Sequence, residues 1–339
     1  MRRVVLSFSV LLLFLQTCLA HQPIKQLAME GGGIRGIAYL GAISAMQEAH
    51  LLDSLQQIAG TSAGGVMAAL MGVGYDCTEM QEILNSTRFQ HFNDNELGFI
   101  TGFYRLYKRM GWYKGNRFER WIESYVAAKT GKSLLTFQQL HELHLAYPLL
   151  YKDVLLTATD LLSQRTIVLS YKTYPDMPIS KAVRMTMSIP FYFTPVPYSY
   201  HPPMHPEITQ SQLLVDGGVL MNYPIKLFDD TLNGHWHANP FTIGLRLDDS
   251  LESIYYNNRF DAVQHAYPPI HNVKDYSIAF YKLLMGALSD KDLTPDDAKR
   301  TIRISSGSVG EKIKKLSSSE LNELLSNGKN AVINYYRKN

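Results

Sequence analysis

The spacing of apolar and polar residues changes several times along the chain. Gln26 to Glu30 is a short apolar stretch running into Gly31-Gly32-Gly33, the pattern of a strand that ends in a tight turn. From Ile34 to Ala49, Ile37, Leu40, Ile43 and Met46 recur every three residues, with Ala38, Ala42, Ala45 and Ala49 between them, which predicts a helix. Leu55 to Ala59 predicts a second strand, Gly60 to Gly64 a second sharp turn, and Gly65 to Met71 a second helix. Strand, turn and helix, twice over, predict an α/β fold with a largely parallel sheet.

Thr78 to Leu150 reads mainly as helix. Val154 to Thr159 and Thr166 to Ser170 read as strands, and Ser180 to Met187 as a short helix stopped by Pro190. Pro195 to Pro206 holds five prolines and predicts an irregular loop. Leu213 to Val215 is an expected strand ending at Asp216-Gly217-Gly218, and Phe241 to Leu247 another. From Leu251 onward the chain reads as helices and loops, with Ser319 as the expected cap of the last helix.

Composition narrows the class. Hydrophobic residues make up 46% of the 339 and charged residues 19%, which excludes disorder. The net charge of +3 includes Arg2 and Arg3, so the rest of the chain is nearly neutral and carries no overall footprint for nucleic acid. Those two arginines, the apolar run from Val4 to Leu15 and small residues at Cys18 and Ala20 predict an export leader of residues 1–20, cleaved before His21, and hence a periplasmic or secreted protein. The run is shorter than the roughly 20 residues of a membrane span. Once the leader is gone, Cys77 is the single cysteine, so neither an internal disulfide nor a thiolate metal cluster is expected.

Two turns carry the candidate chemistry. Gly60-Thr61-Ser62-Ala63-Gly64 fits G-x-S-x-G, in which a sharp strand-to-helix turn exposes a serine oxygen at the positive end of the next helix. A plain tight turn fits it too, but the expected strand before and helix after favour the nucleophile. Gly31-Gly32-Gly33-Ile34-Arg35-Gly36 is built to converge backbone N–H groups on an anion. In acyl transfer that anion is the tetrahedral oxyanion, and the Ala63 amide is the expected further donor. Arg35 is either a loop brace or a contact for lipid phosphate. The same string also fits the dinucleotide fingerprint, but the second strand runs into Gly60-Thr61-Ser62 instead of ending in a ribose-binding acid. None of the eleven histidines stands in a catalytic context. Asp216, at the end of an apolar strand, is the better candidate base, with Gly217 and Gly218 turning the backbone away. Alone, Asp-Gly is only a turn signal.

Together these motifs resemble the patatin-like phospholipase family. Ala158-Thr159-Asp160-Leu161, Met187-Ser188-Ile189-Pro190, Val219 to Pro224 and Trp112-Tyr113-Lys114-Gly115 are similar to it as well, and the resemblance covers about Gln26 to Leu247. It implies a three-layer α/β/α sandwich, with a catalytic domain over 26–247; the final residues, 248–339, show no match to the family and are expected to form a helical region packed on that domain. It also implies a Ser62–Asp216 dyad that hydrolyses lipid esters through an acyl-enzyme, without metal or organic cofactor. The alternatives are the same chemistry on soluble or neutral-lipid esters, and a non-catalytic lipid- or nucleotide-binding protein. The expected partners are a phospholipid or other lipid ester and, transiently, a membrane surface; no motif identifies a protein activator. The aromatic and basic cluster from Phe99 to Tyr113 has two readings, a core-facing helix with charged ends, which is preferred, or an interfacial segment.

Overall fold

The computed structural model describes residues 22–94, 98–205, 207–232, 235–248, 270, 276, 279–280, 293–309 and 316–338. The leader expected over residues 1–20 lies outside them.

The opening alternation is present. Strand β1 (Gln26–Met29) leads through a 3-10 turn (Gly33–Ile37) into α1 (Ala38–Glu48), and β2 (Gln57–Gly60) leads into α2 (Ala63–Gly72). Then come α3 (Cys77–Ser86), α4 (Gly98–Arg109), β3 (Gly111–Tyr113), α5 (Asn116–Thr130), α6 (Phe137–Ala146), β4 (Asp153–Asp160), β5 (Arg165–Leu169), α7 (Ile179–Thr186) and β6 (Phe191–Phe193). The remainder is β7 (Val196–Tyr200), β8 (Gln210–Asp216), β9 (Asp230–Leu232), β10 (His235–His237), β11 (Thr242–Asp248), α8 (Pro295–Lys299), β12 (Thr301–Ser305) and α9 (Ser318–Lys338).

The main sheet runs β12-β11-β1-β2-β4-β8-β7, with β5 also on β4. Every pair from β12 to β4 is parallel, and β5, β8 and β7 join antiparallel. Alternation along each strand splits the core. Leu27, Met29, Ile58, Leu245 and Ile302 pack with α1, α2 and α9, whereas Ala28 and Ala59 face Tyr223, Ile225 and Phe228 on the other side. The fold is thus an α/β sandwich with a thick helical layer on one face. Among the described residues, the second layer is thinner and built around the short turn Ile225–Phe228.

Three expectations need correction. The stretch from Pro195 to Pro206 is not irregular throughout, because β7 pairs with β8 in a register that sets Pro197 opposite Leu213. A proline lacks a donor, and β7 tolerates one because it is the sheet edge. The stretch from Thr78 to Leu150 is mainly helical as expected, and within it the short strand β3 pairs with β6. The C-terminal region is not purely helical: β12, whose Ile302 and Ile304 alternate inward, extends the main sheet beside β11. Finally, the last helix is capped by Ser317, not Ser319: its hydroxyl accepts from the Glu320 amide at 3.2 Å, and its own amide donates to the Glu320 carboxylate at 2.9 Å.

Candidate active site

The strand-to-helix turn at Ser62 is forced by close approach. A Cβ on Gly60 would run into the Gly64 carbonyl, and one on Gly64 would meet the carbonyls of Met29 and Glu30. With its neighbours so confined, Ser62 adopts φ 52°, ψ −121°, a conformation costly for any residue with a side chain. Such strain is the mark of a nucleophile elbow. Val66 donates to the Ser62 carbonyl as the first bond of α2, so Ala63 stands at the helix head where N–H groups have no partner within the helix.

The end of α7 reaches across to the same turn. The Thr186 hydroxyl accepts the Ser62 amide at 2.9 Å, and the Met187 sulfur receives the Ser62 hydroxyl at 3.4 Å. The next carbonyl, Ser188, accepts the Asp216 amide at 2.9 Å. Thr186 and Ser188 therefore hold the backbones of Ser62 and Asp216, and Met187 between them meets the Ser62 hydroxyl. Asp216 is fully buried, and one carboxylate oxygen accepts from the Gly218 amide at 2.8 Å, so Gly218 ties the carboxylate to its own turn. β8 runs antiparallel to β4 and stops with Asp216 opposite Ala158, two residues past the Gly60–Leu156 pairing. Asp216 thus ends a strand as expected, and that strand, antiparallel to β4, brings it to the level at which β2 gives way to Ser62. Gly217 lies so close to Thr157 that a Cβ there would meet its hydroxyl and carbonyl.

The glycine loop packs directly on the elbow. A Cβ on Gly31 would stand 3.1 Å from the Ser62 Cβ, and one on Gly36 would stand 2.9 Å from that of Ala63. Not every expected oxyanion donor is available. Gly31 donates to the Asn222 carbonyl at 3.1 Å and Arg35 to the Gly32 carbonyl at 3.2 Å, while the 3-10 turn takes up Gly36 in its own pattern. Gly32, Gly33 and Ile34 of the loop, together with Ala63, stay the candidate donors. Arg35 is buried with its Nε donating 3.3 Å to the Gly32 carbonyl, which makes it a brace of the loop.

Several residues to which the motifs assign no role hold the site together. The Asn222 side-chain amide returns a bond to the Gly31 carbonyl at 3.2 Å and reaches Glu30 at 3.3 Å, clamping the glycine loop to the segment after Asp216. The buried Glu30 carboxylate also accepts from the Leu247 amide at 3.0 Å and faces Arg246 at 3.5 Å. Asp94 gathers the amides of Lys114, Gly115 and Asn116 at 2.6–2.9 Å and so heads α5. Arg184 donates to the Ser188 hydroxyl and to the carbonyls of Lys114 and Thr194, and its burial pushes its pKa down to about 10. Most of these contacts carry no spacing signal, because the partners are remote in sequence, as Asn222 is from Gly31 and Arg184 from Lys114.

Comparison with known proteins follows this geometry. The model of the patatin-like phospholipase family matches residues 27–229. The chain belongs to that family. An uncharacterized protein, R571, of Acanthamoeba polyphaga mimivirus is 29% identical over 77% of this chain and 76% of its own length. The uncharacterized protein YqhO of Bacillus subtilis is 33% identical over 58% of this chain, which spans 64% of that protein. Among solved structures, VipD from Legionella pneumophila superposes with a TM-score of 0.57 at 15% identity, over 93% of this chain and 67% of its own. The family places this chain among lipid ester hydrolases of patatin-like fold. One plant relative, 27% identical over 62% of this chain and 55% of its own length, is described as a probable inactive patatin-like protein from Arabidopsis thaliana. In the present chain both a candidate nucleophile and a candidate base stand in the motif positions.

Proposed function

We propose that the protein is a lipid acyl hydrolase of phospholipase A type that works through Ser62 and Asp216. The observation that carries this reading is the strained Ser62 backbone, set at the head of α2 with the glycine loop against it. Ser62 Oγ forms a bond to the ester carbonyl carbon while its proton passes to Asp216. The negative oxygen of the tetrahedral intermediate is met by the amides of Ala63, Gly32, Gly33 and Ile34. Its collapse breaks the ester C–O bond, and Asp216 returns the proton to the leaving alcohol. Water then gives a proton to Asp216, attacks the acyl-enzyme and releases the fatty acid with Ser62 restored. We also propose that residues 1–20 direct export, with His21 as the first residue of the mature protein.

Fatty-acid release from mixed phospholipid vesicles tests the reading. Wild type should release fatty acid, and Ser62→Ala and Asp216→Asn should each release none while remaining folded. Undiminished release by Asp216→Asn would require another base. Hydrolysis of short soluble esters with no gain on lipid vesicles would replace the phospholipase reading with that of an esterase.

A further inference from the structure

Residues 98–117 contain five basic side chains and no acidic one, in a chain whose totals are 33 basic and 30 acidic. Within this stretch two tyrosines of α4 face solvent. Tyr104 is 65% exposed and Tyr107 76%, one turn apart on the same face, and Met110 is 49% exposed just beyond the helix end. Lys108 and Arg109 are exposed beside them, with the Lys108 ammonium 5.4 Å above the Tyr107 ring. Amphipathic rings interleaved with cations are the chemistry of a lipid–water interface.

The corner is held in place. Arg105 donates to the Trp112 carbonyl at 2.8 Å, and β3 pairs with β6 so that Gly111 lies opposite Phe191. The backbones are so close that a Cβ on Gly111 would run into Phe193 and Thr194. Phe191 is itself 47% exposed at φ 65°. It follows Met187, whose sulfur receives the Ser62 hydroxyl, by only four residues, a reach of at most about 14 Å.

We infer that the exposed face of α4, with Met110 and Phe191 at its end, docks the protein onto an anionic lipid surface. The inference takes its purpose from the hydrolase reading of Ser62. The absence of acidic side chains selects negatively charged headgroups. The tyrosines supply shallow apolar insertion, and the short path from Phe191 to Ser62 lets a lipid leave the surface beside the site.

Binding is measured on the full chain carrying Ser62→Ala, so that no lipid is consumed. Sedimentation with vesicles of phosphatidylcholine mixed with phosphatidylglycerol should pull down this parent, and phosphatidylcholine alone should pull down much less. Lys108→Glu with Arg109→Glu should lower partition onto the mixed vesicles about tenfold or more. Tyr104→Ser with Tyr107→Ser should lower it on the same vesicles to a comparable degree. In the Ser62 background, the same substitutions should leave hydrolysis of a short soluble aryl ester unchanged. Parental binding by both double variants would overturn the inference. So would equal binding of the parent to both vesicle types, or no binding to either, the last pointing to a protein partner for this face. Vesicle binding through the face without fatty-acid release by the intact enzyme would count against the hydrolase reading alone.

Discussion

The hydroxyls of Thr61, just past the end of β2, and Thr157, within the adjacent β4, stand 2.6 Å apart, and both reach the Met221 carbonyl, at 3.0 and 3.4 Å. Thr61 directly precedes Ser62, and Met221 follows the Asp216 turn. One buried polar cluster therefore fixes the distance between the two segments that carry the proposed chemistry.

Thr157→Val keeps the shape and removes the shared hydroxyl. Thr61 retains Met221, so the cost is one buried hydrogen bond, about 1 kcal/mol of stability. With the two turns less firmly tied, kcat on a soluble ester should fall more than KM changes. Urea unfolding together with steady-state kinetics checks both effects. An unchanged midpoint and kcat would mean that the Met221 carbonyl alone sets the spacing.

Ser62 should be a site where stability and function oppose each other. Its φ of 52° strains any residue with a Cβ, and glycine relieves that strain. Ser62→Gly should be inactive yet more stable than wild type by about 1 kcal/mol, after the entropy cost of the new glycine. Ser62→Ala keeps the strain and should not show the gain. Thermal melts of the three proteins decide it, and a destabilised glycine variant would show that the Ser62 side-chain contacts outweigh the backbone strain.

How far the chain could be read without coordinates depended on whether a signal was local. Gly60 to Gly64 and Gly31 to Gly36 announce tight turns in consecutive residues, so both turns and the strands before them were legible. Residues after Leu251 were read as helix and loop, yet Thr301–Ser305 is a strand of the main sheet, because five alternating residues give little signal beside a basic helical end. Pro197 misled for a different reason: proline forbids a central strand but not an edge, and only the sheet order tells which β7 is. Thr186 and Arg184 gave no signal, and Asn222 stood in a family-like stretch without a role, because each acts on partners far away in sequence. Asp216 was legible as the end of an apolar strand, whereas the antiparallel direction of that strand was not, because strand direction is set by the sheet and not by the residues beside it.

Asp160 should shape the acid limb of stability. Burial favours its neutral form, but the Ser163 hydroxyl and the amides of Leu213, Leu162 and Ser163 outweigh that and hold the carboxyl below its ordinary value. A depressed folded pKa means stability that is fully present above the unfolded value near 3.9 and lost as pH falls toward the folded one. The Leu213 bond, at 3.0 Å, ties the end of β4 to β8, so this loss loosens the strand that ends at Asp216. Asp160→Asn should be less stable at neutral pH and show a flatter decline below about pH 4. Urea midpoints across that range test it, and parallel curves for the two proteins would remove Asp160 from the acid response.

Arg184→Lys should be far from conservative. The guanidinium lies buried between α7, the Lys114 turn and the strand end at Thr194, and it donates in three directions at once. A guanidinium fork spans such acceptors in one plane, whereas an ammonium on a flexible stem gathers only those on one side. The acceptors left behind are buried, so the substitution should cost about 2 kcal/mol or more. Gly115 approaches the guanidinium so closely that a Cβ there would collide with it, so the neighbouring backbone cannot simply close over a smaller head. The effect should reach catalysis through Ser188, whose hydroxyl Arg184 holds and whose carbonyl receives the Asp216 amide. A lysine variant should therefore lose kcat as well as stability, and lowering the assay temperature to refold it fully should restore only the part due to unfolding. Full kcat in a folded lysine variant would confine Arg184 to the scaffold and break the proposed link from that guanidinium to the base.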